Sequence, residues 1–141
     1  MVAVLELESH EVFTLQPDEI EKHWWWIEPL LERIEDRGWE SSDVLSLLVQ
    51  GKSQLWGCLG QLGPTAVWVT SIEHLGGSKY GLVWLCAGEP INEITRLFRK
   101  YTEPWLKEHG CKWVEIVGRK GWAKVLPDFH ENSRVFVKEL R

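Results

Sequence analysis

The chain has 141 residues and a formal net charge of −5; 44% of its residues are hydrophobic and 26% are charged. This balance is typical of a soluble globular protein, and at this length we expect one domain, residues 1–141. The acidic charge argues against general nucleic-acid binding, which needs a basic face, and no segment approaches the ~20 apolar residues of a membrane span.

The cysteines and histidines predict neither a disulfide framework nor a metal site. Cys58, Cys86 and Cys111 are odd in number and scattered, and each lies in or beside an apolar run, which predicts free thiols in a reducing compartment. The five histidines have no metal-type spacing. The N-terminus lacks the features of a signal peptide, so we expect a cytoplasmic protein, or one packaged from the cytoplasm.

The first third of the chain predicts strands followed by a helix. Weak alternation indicates one or two strands within residues 2–15. A helix is expected to begin at Pro17, because proline suits the first helical position, and Pro29 is expected to kink or split it. Three consecutive tryptophans, 24–26, diverge by roughly 100° each on this helix. Trp25 therefore points away from the apolar stripe, and it is either covered by another element or an exposed contact for a protein partner.

The remaining elements predict a layered fold. Apolar runs predict strands over residues 54–60, 64–73, 79–88, 111–118 and 134–140. Helical patterns predict helices over residues 43–50, 90–109 and 119–126. The first is expected to be capped by the segment that begins at Ser41, and the second to be kinked at Pro104. The strand after the long helix should run parallel to the strand before it. The fold class is therefore α/β (α+β), a single mixed, mostly antiparallel sheet with helices on both faces.

This order of elements resembles the GCN5-related N-acetyltransferase (GNAT) fold over nearly the whole chain. In that family a strand ends in a glycine-rich loop that holds the pyrophosphate of acetyl-CoA at the start of a long helix. On this correspondence WLCAGEPINEI, residues 84–94, is the cofactor loop. The resemblance implies that Cys86, Ala87 and Gly88 bind the cofactor, and that Arg96 or Arg119 helps with phosphate. The segment GRKGW around Arg119 is alternatively a tight turn.

Local sequence is similar to that of small GNAT-like proteins encoded by tailed bacteriophages. The similar strings are QLW at 54–56, VTSIE at 69–73 and CKWVEIVGRKGW at 111–122. This resemblance implies a phage origin, with the host cytoplasm or the virion as the location.

The candidate loop departs from the family pattern, which is Gln or Arg, two residues, Gly, one residue, then Gly or Ala. Here the loop has no basic residue, Pro90 lacks an N–H, and Glu89 places a negative charge where a pyrophosphate would lie. Two like charges ~4 Å apart cost about 1 kcal/mol in water and about 4 at a partly buried site. The family's tyrosine that protonates the departing thiolate is also missing from AKVLPDF, residues 123–129.

Two functions remain open on these grounds. One is a binding or virion-associated module that has a degenerate acetyl-CoA site and contacts an unknown protein partner through Trp25. The other is an active acetyl-CoA-dependent N-acetyltransferase acting on an amine. Glu73 at a strand end and Glu115 within a strand are its candidate general bases, because burial raises the pKa of a carboxylate. The alternative for each is a solvated or paired carboxylate.

Overall fold

The computed structural model describes residues 3–6, 9–34, 39–60, 63–88, 90–116, 127–130, 138 and 140. Within these ranges six strands form one sheet in chain order: β1 Ala3–Glu6, β2 Ser9–Leu15, β3 Gln54–Gly60, β4 Gly63–Leu75, β5 Ser78–Gly88 and β6 Cys111–Ile116. Neighbouring strands are antiparallel except β5 and β6, which are parallel. The predicted mixed, mostly antiparallel sheet is therefore confirmed.

Helices cover both faces of this sheet. They are α1 Ile20–Leu31, α2 Ser41–Val49, α3 Ile91–Leu97 and α4 Glu103–Glu108. Successive strand residues point to opposite faces, so each strand supplies two cores. Phe13, Leu55 and Val67 pack with α1 and α2, which defines the α1/α2 face. Their chain neighbours Val12, Trp56 and Trp68 pack with α3 and the turn after it, which defines the α3/α4 face.

Helix α1 begins as predicted but is not split. A 3₁₀ turn, Pro17–Glu19, precedes it with Gln16 as the N-cap residue, and the Gln16 N–H donates to the Glu19 carboxylate. Pro29 lies inside the helix, yet the helix continues to Leu31. The proline is exposed and lies in the last turn, where only one backbone hydrogen bond is lost. Of the two outcomes expected at Pro29, the split is therefore wrong, and the kink stays a prediction.

Helix α2 begins two residues before its predicted start. Glu40 is the N-cap residue rather than a serine, and its N–H donates to a carboxylate oxygen of Asp43 at 2.8 Å. The acid expected to open the helix thus occupies its third position and completes a capping box.

The predicted long helix changes its winding just before Pro104, the residue expected to kink it. Helix α3 passes into a π-helical turn, Phe98–Thr102, and then into α4, with Pro104 in the first turn of α4. A proline in a continuous α-helix would clash with the carbonyl four residues earlier, and a π turn widens the backbone at that point.

The predicted helix at 119–126 lies outside the described residues, as does the predicted strand at 134–140 apart from residues 138 and 140. None of the helices in the described part of the chain combines the length and the apolar character needed to cross a lipid bilayer.

Candidate functional site

The candidate site lies beside β5, the strand that ends in the candidate cofactor loop. Strands β5 and β6 pair from Lys79 with Cys111 to Val83 with Ile116, the last residue of β6. Strand β5 continues to Gly88 along its pairing with β4. The resemblance predicts a V-shaped gap beside the second half of β5 as the place of a pantetheine arm.

A cleft beside this part of β5 is mainly apolar. Its volume is about 260 Å³, including space open to solvent, and its lining residues are Trp68, Val83, Cys86, Ile94, Thr95, Phe98 and Ile116. Small-molecule sites usually present a few convergent polar groups. The Thr95 hydroxyl instead donates to the Asn92 carbonyl at 2.9 Å. The described lining of the cleft therefore offers fewer polar contacts than such sites usually do.

A β-bulge in β5 decides which side chains enter this cleft. Val69 of β4 pairs with Leu85, and Thr70 pairs with Val83, so Trp84 has no partner on β4. Trp84 and Leu85 consequently both pack on the α1/α2 face. This extra residue reverses the alternation after it and turns Cys86 into the cleft.

The residues assigned to the cofactor loop have different surroundings. Cys86 lines the cleft, whereas the side chain of Ala87 is buried in the α1/α2 core. Gly88 ends β5 at a φ of 115°, in the left-handed region that favours glycine. Pro90, in an extended conformation, precedes α3. Glu89 lies outside the described residues, so the predicted charge conflict in the loop stays a prediction.

Of the two candidate phosphate contacts, only Arg96 lies within the described residues. Arg96 is exposed, and its guanidinium forms a salt bridge with Glu93, one turn earlier on the same helix. Arg119 lies outside the described residues. Among the described residues no group of three His, Cys, Asp or Glu side chains could hold a metal ion.

Cys86 is the ionisable side chain lining the cleft, and it is held neutral. Burial raises the pKa of its thiol to about 12, because the thiolate would lose its hydration. A neutral thiol is a poor nucleophile, so the cleft has no activated cysteine.

Alkylation by iodoacetamide tests whether burial keeps the Cys86 thiol neutral. A pKa of about 12 instead of the ordinary 9.0 lowers the thiolate fraction at pH 8 about a thousandfold, so Cys86 should stay unlabelled in the folded protein. Labelling in urea, where all three cysteines should react, is the control. Peptide mass spectrometry at pH 8 reads out both samples. Equal labelling rates of Cys86 in the two samples would contradict the prediction.

The two candidate bases lie on one face of the sheet. Glu73 is opposite Tyr80 across β4 and β5, and Glu115 is opposite Leu82 across β5 and β6. Gly81, which follows the Glu73 partner Tyr80, faces α4, and Val114, which precedes Glu115, packs in the α3/α4 core. Because successive strand residues alternate, both carboxylates point to the α1/α2 face. With one strand between them and a two-residue offset, their Cα atoms are roughly 12 Å apart.

Each carboxylate is bound by a neighbour on its own strand. The Ser71 hydroxyl donates to Glu73 at 2.9 Å, and the Trp113 indole N–H donates to Glu115 at 2.8 Å. Glu73 is half-buried and Glu115 is exposed. The burial expected to make Glu115 a base is therefore absent, and its surroundings match the paired alternative.

An aromatic pair next to these carboxylates was missed by the sequence analysis. The rings of Tyr80 and Trp113 stack with centroids 5.0 Å apart and planes at 5°. The available signal was the spacing of Trp113 and Glu115, which places both on one side of a strand. Finding Tyr80 beside them required the pairing of β5 with β6.

Trp25 is exposed on α1. It is 77% exposed, while the indole N–H groups of Trp24 and Trp26 donate to Glu28 and His23. Trp25 is therefore not covered by another described element, and its contact with a protein partner stays a prediction.

No family profile matches this sequence, and no curated protein matches it significantly. Solved structures do resemble it. An aminoglycoside acetyltransferase from an uncultured soil metagenomic sample, solved with sisomicin, is 15% identical with a TM-score of 0.68, covering 93% of this chain and 96% of that one. A GNAT family acetyltransferase from Staphylococcus aureus is 12% identical with a TM-score of 0.64, covering 92% and 97%. An aminoglycoside antibiotic 6'-N-acetyltransferase from Acinetobacter baumannii is 15% identical with a TM-score of 0.64, also covering 92% and 97%.

These likenesses extend over almost the full length of both chains in each comparison. The protein therefore has the fold of GNAT acetyltransferases, and the predicted fold is confirmed. At these identities the likeness concerns the fold, and the chemistry has to be argued from the site.

Proposed function

We propose that this protein is a GNAT-fold binding module with a degenerate acetyl-CoA site, and that it contacts a protein partner through the exposed Trp25. The observation that carries the proposal is the cleft between β5 and β6, which is about 260 Å³ in volume and lined mainly by apolar side chains. The resemblance of residues 54–56, 69–73 and 111–122 to GNAT-like proteins of tailed bacteriophages supports a phage origin, with action in the host cytoplasm or the virion.

The surroundings of the loop support the loss of cofactor binding. A phosphate at a helix start is held by backbone N–H groups and by basic side chains. Pro90 supplies no N–H at this position, and the guanidinium of Arg96 is paired with Glu93. The described residues therefore do not fit acetyl-CoA well, and no catalytic step is assigned through it.

The exposure of Trp25 supports a role in binding. Tryptophan is enriched among the residues that dominate interface energies, because it buries a large rigid surface. In α1 the two neighbouring tryptophans are partly buried and hydrogen-bonded within the helix, whereas Trp25 projects into solvent. Packing within the described chain therefore does not explain a tryptophan at this position.

Thermal unfolding with and without acetyl-CoA tests the first half of the proposal. We expect no change in Tm, because the cleft and loop offer few contacts. A ligand at ~100 times its Kd would stabilise the folded state by about 2.7 kcal/mol, which for this length is a rise on the order of 5–10 °C. An active GNAT acetyltransferase should show that rise in the same assay. A comparable rise in the Tm of this protein would overturn the proposal that its acetyl-CoA site is degenerate.

Affinity capture tests the second half. The wild-type chain should retain a specific protein from host lysate or from virions, and Trp25→Ala should lose it without a change in Tm. Val49→Ala, which trims a partly exposed apolar residue on α2, is the control and should retain the partner. Retention of the same partner by Trp25→Ala would remove Trp25 from the contact surface.

A second candidate function is an N-acetyltransferase acting on an amine, with Glu73 or Glu115 as the general base. The bulge in β5, which turns Cys86 into the cleft, favours it, together with the likeness to acetyltransferase structures, two of them described as aminoglycoside acetyltransferases. Release of free CoA with a panel of amines is the assay. Activity that survives replacement of both glutamates by glutamine would rule out this assignment of the base.

A further inference from the structure

Residues 127–130 lie against the α3/α4 face of the sheet. Phe129 is half-buried and packs against the apolar cluster of this face, and that cluster contains most of the side chains that line the cleft. The neighbouring Asp128 accepts a hydrogen bond from the guanidinium of Arg99, in the π-helical turn, at 2.7 Å. One apolar side chain and one ion pair therefore fasten this segment beside the cleft.

A buried carboxylate next to this ion pair has no partner of its own. Glu103 opens α4, four residues after Arg99, and its Oε2 atom is buried without a hydrogen bond to the described chain. Buried polar atoms that lack a partner are uncommon in folded proteins. Side chains four residues apart are neighbours on a helix surface, and the charges of both Arg99 and Asp128 act on Glu103. Two carboxylates thus compete for one guanidinium, and Asp128 holds it in this structure.

We propose that residues 127–130 form a latch that restricts access to the cleft, and that ionised Glu103 loosens the latch by competing with Asp128 for Arg99. When Glu103 carries a proton, the ion pair has no competitor and the segment stays packed. When Glu103 is ionised, it attracts Arg99 and repels Asp128, so the segment is released more often. This inference goes beyond the proposed binding function and depends neither on Trp25 nor on acetyl-CoA.

The direction of the pH effect follows from the surroundings of Glu103. Burial raises the pKa of its carboxyl above the ordinary 4.5, the Asp128 carboxylate raises it further, and the Arg99 guanidinium lowers it. Release of the segment removes the Asp128 charge and leaves that of Arg99, so the pKa of Glu103 falls. The latched state therefore binds the proton more tightly, and the latch weakens as pH rises through the raised pKa.

Other charged groups near the latch have different surroundings. Lys100 lies over the ring of Tyr101, and Lys107, one turn after Glu103 on α4, is exposed. His130, at the end of the segment, is also exposed. Because histidine is the side chain that ordinarily changes charge near neutral pH, a variant of His130 is a necessary control.

Fluorine NMR of the full chain tests the latch. 4-Fluorophenylalanine replaces all four phenylalanines, and substitution of each in turn identifies its signal. Between pH 5 and pH 8 the released fraction should grow about two- to fivefold, the range for an exposed ion pair, so the Phe129 signal should move toward its position in urea. Phe13, buried in the α1/α2 core, is the internal control, and its signal should stay in place. A stationary Phe129 signal, or equal movement of both signals, would overturn the proposal.

Variants identify the group that responds to pH. Glu103→Gln keeps the shape of the side chain without its charge, so the Phe129 signal should stay at its pH 5 position at both pH values. Asp128→Asn should move that signal toward its position in urea even at pH 5. His130→Gln should keep the wild-type response, as should Glu93→Gln, which removes a carboxylate from the ion pair on α3. A response that persists in Glu103→Gln, or disappears in His130→Gln, would overturn the role of Glu103.

Alkylation of Cys86 by iodoacetamide tests whether the latch restricts the cleft. At pH 8, Phe129→Ala should raise the slow labelling rate of Cys86 at least about fivefold, because a locally opened site reacts in proportion to its open fraction. Cys58, buried in the same apolar cluster, is the control for general unfolding and should keep its wild-type rate. An unchanged rate for Cys86, or an equal rise for Cys58, would contradict a latch at the cleft.

Discussion

Replacing Gly88 with alanine is expected to lower the free energy of unfolding by about 3 kcal/mol. At this position φ is 115°, and a Cβ atom would overlap the carbonyl oxygen of Thr65 and lie 2.5 Å from Cα of Ala66. These are backbone atoms of β4, which is paired on both sides, so they cannot move aside. The backbone strain and the overpacking each cost about 1–3 kcal/mol.

Urea denaturation of Gly88→Ala and of the matched variant Gly77→Ala measures this effect. A Cβ atom at Gly77, in the turn between β4 and β5, would meet no atom within 4 Å, so its replacement should change stability by less than about 0.5 kcal/mol. A loss of under about 1 kcal/mol for Gly88→Ala would show that the end of β5 does not approach β4 this closely. Gly88 would then be free to serve a ligand rather than the sheet.

Replacing Trp68 with alanine is expected to cost about 3–5 kcal/mol, the range for a large buried aromatic side chain. Trp68 is 1% exposed and lies between β4 and the helices of the α3/α4 face, beside the cleft. Its indole N–H donates to the Thr102 hydroxyl in the π-helical turn at 3.0 Å. The truncation therefore leaves a cavity and a buried hydroxyl without its partner.

Two other tryptophan variants make this measurement specific. Trp25→Ala removes the same atoms from an exposed position and should change the free energy of unfolding by no more than about 0.5 kcal/mol. Trp68→Phe keeps a ring but loses the hydrogen bond to Thr102, and its smaller cost provides a reading if the alanine variant does not fold. Equal costs for Trp68→Ala and Trp25→Ala would contradict the packing described for β4.

Much of the fold was predictable because its signals are local. The strands β3, β4 and β5 were expected from apolar runs between glycine turns, and β6 was correctly expected to be parallel because a helix precedes it. The errors lie where more than one residue can cap a helix, or where the backbone can accommodate a proline in more than one way. Helix α2 uses Glu40 and Asp43 as its capping pair, and Pro104 is accommodated by a π-helical turn before it.

The candidate site was only partly predictable. Gly88 was correctly expected at the end of β5, because glycine marks a strand end by itself. The entry of Cys86 into the cleft depends on the bulge at Trp84. No pattern of residues in β5 predicts that this residue lacks a partner on β4. The pairing of Arg96 with Glu93 is also visible only once both side chains are placed.

Local patterns along the chain were enough to predict the fold class, the order of the described strands and helices, and the departures of the candidate cofactor loop from the family pattern. Periodicity, glycine, proline and charge act within a few residues, so they can be read along the chain. Strand pairing and helix packing were needed to show that Tyr80 stacks on Trp113, that Glu73 and Glu115 share one face, and that Trp25 projects into solvent. These outcomes depend on strand register and on helix packing between residues distant in sequence, and a single bulge or cap is enough to change them.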